Sequence, residues 1–192
     1  MNFDALVKYI RKDGCPVRVY NKGILKVAQC LGTFDVSKKG TPTISIATRG
    51  HTKLENTRVL LHEYAHYRQW KDGLMGIAER VIKGWDVLDK WLSGKEYDSK
   101  QLSMARNCVI LIEYDAEIRT IQLSRILKVD IGDIEDYLDH AHSYITHLKT
   151  VFKTKKWSPY RQLSICKKRL RPKEILAALS KEEVKRLEAI NV

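Results

Sequence analysis

Apolar positions recur with helical spacing over residues 2–12, where Phe3, Leu6, Val7 and Ile10 share one face and Asp13-Gly14 ends the run. The period then changes. Pro16 to Tyr20 (PVRVY) predicts a strand and Asn21-Lys22-Gly23 a turn. Thr43 to Thr48 (TISIAT), alternating and rich in β-branched residues, predicts a second strand. Ile24 to Val36 fits a hairpin or a short helix, and Ser37 to Pro42 reads as a loop. From Thr52 the helical period returns. Thr52 and Glu55 have the T-x-x-E spacing of a capping box, which satisfies two backbone N–H groups at a helix start. A helix is expected from Lys53 to about Lys71, closed by Gly73. Further helices are expected over 75–92, 101–128 and 132–153, then a C-terminal pair at 173–179 and 181–190, with Ser93 to Lys100 as a polar connector. The expected class is α+β, mostly helical.

Composition changes this picture little, and charge changes it in one place. Of 192 residues, 44% are hydrophobic and 30% charged, which suits a folded chain with a core and argues against disorder. No segment reaches the roughly 18 consecutive apolar residues of a membrane helix. The first residues, interrupted by Asp4, Lys8, Arg11 and Lys12, lack the apolar stretch of a signal peptide, so a cytoplasmic protein is expected. Cys15, Cys30, Cys108 and Cys166 form no CxxC pair and read as reduced thiols, with Cys108 in the core beside Val109. The net charge of +12 is concentrated late: Ala141 to Lys173 holds ten Lys and Arg and no Asp or Glu.

The chemistry is carried by Leu61-His62-Glu63-Tyr64-Ala65-His66. On a helix, positions i and i+4 lie on one face, so His62 and His66 can offer two imidazole nitrogens to one metal. Zinc accepts such ligands at ~2.0–2.1 Å in tetrahedral geometry. Glu63, rotated off the histidine face but adjacent to it, is placed to act as general base toward a metal-activated water. Arg68 departs from the apolar residue usual at that point in helices of the zinc metallopeptidases, which this motif resembles. A third protein ligand must come from elsewhere. In the expected helix 101–128, Glu113 and Glu117 share a face, and Ala116 leaves room for close packing. Glu113 is the first candidate, with Asp115 and Glu117 in reserve. If Glu113 ligates, Glu117 can accept an N–H from a ligand histidine and set its tautomer. His140 and His142, spaced i, i+2, cannot share a metal in the same way. Tyr97, Tyr114, Tyr137 and His140 are candidates for stabilising a transition state.

HEYAH followed by Glu113-x-x-Ala116 in a later helix resembles the gluzincin branch of the zinc metallopeptidases. It is most similar to the compact ImmA/IrrE-like bacterial and phage-associated peptidases, over roughly residues 43–127. The resemblance implies a zincin-like domain with a small antiparallel sheet and a long HExxH helix. It implies His62, His66 and Glu113 as zinc ligands, Glu63 as general base, and Thr43 to Thr48 as the edge strand beside the cleft. Such an edge can hold a peptide by β-augmentation.

The function expected is that of a zinc-dependent endopeptidase acting on a protein or peptide substrate. The domain would span 1–150, followed by a basic helical extension at 151–192. In that late segment Phe152, Trp157 and Tyr160 are interleaved with basic residues. Nucleic acid is therefore a second partner class, bound through 149–173 and above all Lys167, Lys168, Arg169 and Arg171. The alternative from another class is a non-catalytic nucleic-acid-binding or regulatory protein that keeps a zincin fold. Glu63 argues against it, because a structural zinc site needs no general base.

Overall fold

A computed structural model describes residues 1–25, 30–72 and 75–157, with the side chains of 75–82 left out of the description. The elements run α1 (Phe3–Lys12), β1 (Val17–Tyr20), β2 (Gly32–Val36), β3 (Pro42–Ala47), α2 (Lys53–Lys71), α3 (Met75–Leu92), α4 (Ser99–Ile126) and α5 (Ile134–Thr154). The class is α+β and mostly helical, as the periodicity indicates. Among its described residues, the ambiguous stretch 24–36 supplies a strand. Of the late basic residues, Lys149 is half-buried, while Lys153, Lys155 and Lys156 are exposed. Lys167, Lys168, Arg169, Arg171 and the expected C-terminal helix pair lie outside the described residues.

The sheet corrects two expectations. Its order is β1-β3-β2, with β1 parallel and β2 antiparallel to β3, so it is mixed and not antiparallel throughout. The strand at 42–47 is its centre and not an edge: Ile44 faces Val17 on one side and Phe34 on the other. The reason lies in burial. Ile44 and Ile46 are fully buried and Ala47 nearly so, while β1 and β2 each leave one backbone edge outside the ladder. Alternation along TISIAT reports one buried face, which central and edge strands of a one-sided sheet share.

The chain forms two compact units, Met1–Glu79 with Tyr114–Tyr137, and Arg80–Glu113 with the chain from Leu138 onward. In the first, α2 packs on β2 and β3, and α1 packs on α2. Leu6 and Ile10 of α1, Ile44 and Ile46 of β3, and Leu60, Leu61 and Tyr64 of α2 are fully buried. Asp13, at the end of α1, ties it to α2. It accepts from Tyr64 Oη at 2.9 Å and from Lys71 Nζ at 2.6 Å, with Arg68 at 3.9 Å. The polar residue at 68 is thus explained: Arg68 lies between Asp13 and Asp72.

In the second unit, α3 approaches α4 closely at Gly84, where a Cβ would lie 3.1 Å from Ala105 O and 3.2 Å from Val109 Cγ2. Leu88, Val109, Leu148 and Val151 are fully buried, and Trp91 stacks on Phe152. Cys108, expected in the core, is half-buried. Among the described residues, no helix is long and apolar enough to cross a membrane.

Candidate metal centre

The helix that carries the motif starts where its sequence dictates. Thr52 Oγ1 accepts from Glu55 N at 3.1 Å, and Glu55 Oε2 accepts from Thr52 N at 2.7 Å, completing the capping box. From there α2 runs unbroken for 19 residues, so His62 and His66 fall one turn apart on one face. Their Nε2 atoms lie 3.1 Å apart with the rings at 89°. Two nitrogens bound tetrahedrally at ~2.0–2.1 Å from one zinc would be about 3.3 Å apart. The pair therefore needs almost no rearrangement to share an ion.

Glu113 joins them. A nitrogen of His62, a nitrogen of His66 and a carboxylate oxygen of Glu113 all lie within 4.8 Å of one another. Glu113 is buried, and α4 carries it one turn before Glu117 on the same unbroken helix. The donor set, two imidazoles and one carboxylate, suits zinc and leaves a fourth position for solvent or substrate. Of the three acids considered from sequence, Glu113 is the one that shares a possible metal position with both histidines.

The other two acids stand behind the histidines. Glu117 Oε1 lies 3.3 Å from His62 Nδ1, and Glu117 also accepts from Tyr137 Oη. A proton on Nδ1, the side that faces this carboxylate, would leave His62 Nε2 for a metal. Tyr137 is buried, and burial, then the Glu117 charge, pushes its phenol well above the ordinary range. Arg58 packs over its ring at 5.8 Å and donates through Nε to Ile131 O at 2.7 Å. Tyr137 thus serves Glu117. Asp115 is engaged by Gln69 Nε2 and Arg119 Nε, each at 2.7 Å. Gln69 Oε1 in turn lies 2.8 Å from His66 Nδ1.

Glu63 is buried at 8% exposure, beneath β2. A Cβ on Gly32 would lie 2.9 Å from Glu63 Oε1 and Cγ, and 2.6 Å from Val59 Cγ1. Only glycine lets β2 pass so close to the motif helix. Beside it, Cys30 Sγ donates to Gly32 O at 2.9 Å; burial, with the Glu63 charge adding to it, pushes this thiol up to about 12. His140 is exposed on α5 and His142 half-buried. Tyr97 packs under Lys95 Nζ at 5.1 Å, and burial raises the phenol of Tyr114.

Sequence reasoning missed Gln69, Arg119 and Gly32. Gln69 had a signal: it stands three residues after His66, one turn on along the same face. Gly32 and Arg119 had none, because both act across elements distant in sequence. No protein-family model, curated protein or solved structure matches this chain.

Proposed function

We propose that this protein is a zincin-like, zinc-dependent endopeptidase that hydrolyses peptide bonds of a protein or peptide substrate, and that it acts in the cytoplasm. The observation that carries the reading is the meeting of His62, His66 and Glu113 within 4.8 Å, with the Glu63 carboxylate buried on the intervening turn of α2. A structural zinc site has no use for that additional carboxylate. A bound zinc would supply Lewis-acid polarisation and lower the pKa of a water to about 7.

The chain's own residues do the rest. His62, His66 and Glu113 hold the ion. Glu63 takes the proton from the attacking water and returns it to the departing amine. Burial under β2 limits the directions in which that carboxylate can turn. The outer edge of β2, from Gly32 to Val36, is the strand edge nearest to Glu63 and can pair with an extended substrate backbone.

The test separates ligand from base. Glu63→Gln is expected to retain one zinc per chain by elemental analysis and to lose peptidase activity on an unfolded protein substrate. Glu113→Ala is expected to lose zinc affinity itself. Equal, negligible zinc in wild type and His66→Ala would sink the reading. Full activity in Glu63→Gln would remove the general base.

A further inference from the structure

His62 and His66 are held by different chemistry. A carboxylate, Glu117, faces His62 Nδ1, whereas His66 Nδ1 lies 2.8 Å from an amide oxygen, Gln69 Oε1. An ionised carboxylate can only accept, so it favours a proton on the nitrogen that faces it. An amide offers an acceptor or a donor according to which way it is turned. What Gln69 does to His66 therefore depends on what lies on its other side.

There, Gln69 Nε2 donates to Asp115 Oδ2, and Arg119 Nε donates to the same oxygen. Arg119 is anchored in turn through Nη1 to Asp72 Oδ2 at 2.8 Å, and Asp72 caps the end of α2. Gln69 is 4% exposed and Arg119 9%, so bulk water is a poor substitute for either contact. The chain of contacts leaves α2 at Gln69, crosses to Asp115 and Arg119 on α4, and returns to α2 at Asp72. It closes on itself within the first unit.

We infer that Gln69 is a positioning residue for the metal and that Asp115 sets its orientation. The inference rests on the zinc reading above. Asp115 can accept but not donate, so the amide turns its NH2 toward α4 and its oxygen toward His66. His66 then carries its proton on Nδ1 and keeps the Nε2 lone pair for the ion. Were the amide reversed, its NH2 would need an acceptor at Nδ1. The proton would then sit on Nε2, 3.1 Å from His62 Nε2, and the ligand would be lost. A carboxylate on a second helix thus selects the tautomer of a histidine it does not touch.

The experiment uses the full chain and zinc itself. Affinity is measured by competition with a chromophoric chelator, alongside the thermal stability of the metal-free protein. Gln69→Leu is expected to weaken zinc binding by about 10- to 100-fold. Asp115→Leu should weaken it too, because the acceptor that holds the Gln69 NH2 toward α4 is removed. The double variant should lose little more than Gln69→Leu alone, since both act through one chain of hydrogen bonds. Nitrogen-15 spectra of metal-free wild type, taken where imidazoles are neutral, should show His66 as the Nδ1–H tautomer. That measurement needs no substitution and decides the matter even if a variant does not fold. An Nε2–H tautomer at His66, unchanged affinity in a folded Gln69→Leu, or additive losses in the double variant would each overturn the inference and leave the zinc site standing. Failure of wild type to bind zinc would overturn both.

Discussion

The two units bury different things. The first buries Thr57, Glu63, Gln69, Glu117, Arg119, Thr120 and Ser124 on α2 and α4. The second, among its described residues, buries mainly apolar side chains such as Leu88, Val109, Ile145, Leu148 and Val151, with Glu113 and His147 as its polar ones. His147 packs edge-on against Trp157, and burial lowers its pKa. A buried polar group costs free energy unless it is paired, and an ion costs more. Chemistry therefore has to be sought where that cost is accepted and offset by partners. In the first unit the partners form connected chains, Tyr137–Glu117–His62 and Asp72–Arg119–Asp115–Gln69–His66, that converge on two imidazoles. In the second, close helix approach at Gly84 and ring stacking provide cohesion, and Glu113, its last residue on α4, is the one member of the metal cluster that belongs to it.

The comparison can be broken most forcefully in the second unit. Leu148 is fully buried, and Leu148→Ala is expected to cost about 2–5 kcal/mol in denaturant unfolding. Zinc stoichiometry of the folded fraction should not change. Loss of zinc in a folded Leu148→Ala protein would mean that the metal centre depends on the second unit's packing.

Gly32→Ala acts on the first unit and should cost about 1–3 kcal/mol, because the added methyl meets stiff Val59 as well as Glu63. Peptidase activity should fall further than stability alone explains, since Glu63 must move. Wild-type stability and activity together would show that β2 does not confine the base.

A smaller effect is expected with pH. Burial raises the Asp13 carboxyl, but hydrogen bonds from Lys71 and Tyr64 and the charges of Lys71 and Arg68 outweigh it and hold the carboxyl below its ordinary value. Its folded value thus lies below the unfolded one, about 3.9 for a free aspartate. The stability it adds is present above that unfolded value and is lost as pH falls through the folded one. Asp13→Asn should be less stable than wild type at neutral pH, and the difference should close in acid. A constant difference across the range would place the effect in packing and not in charge.

The smallest effect on the fold is expected from the late basic segment. Changing Lys167, Lys168 and Arg169 together to Ala should leave stability and zinc content unchanged. If the segment binds nucleic acid, the slope of log affinity against log salt should become shallower by up to roughly 0.9 for each of three lost phosphate contacts. Titrations with single-stranded and duplex DNA across a salt series measure it. No binding to either at low salt would leave the chain's chemistry to the candidate metal centre alone.

Much of this was legible locally. Thr52 and Glu55 mark the start of α2, and the i, i+4 histidines need nothing but a helix to share a face. Such features depend on neighbours within one turn, and so on sequence spacing. The helix of Glu113 and Glu117 was also readable, although α4 begins at Ser99 because Asp98 and Gln101 cap it, with Asp98 Oδ1 accepting from Gln101 N at 2.7 Å. The face shared by Glu113 and Glu117 indicated that both approach the histidines, without saying which one serves as ligand.

Tertiary structure decided the rest. Alternation reports a buried face but not a strand's neighbours, so only the ladder reveals that 42–47 is central and that β2 is the edge above Glu63. The division of labour among Glu113, Asp115 and Glu117 follows from how α4 is set against α2, which separates three acids within five residues by fractions of a helical turn. By itself the sequence determined the helix, its caps and the pairing of two imidazoles, because these are governed by backbone geometry over one or two turns. Which nitrogen those imidazoles would present to a metal is, on the proposal above, set by Gln69, Asp115, Glu117 and Tyr137. Their contacts cross between helices, and no spacing along the chain encodes them.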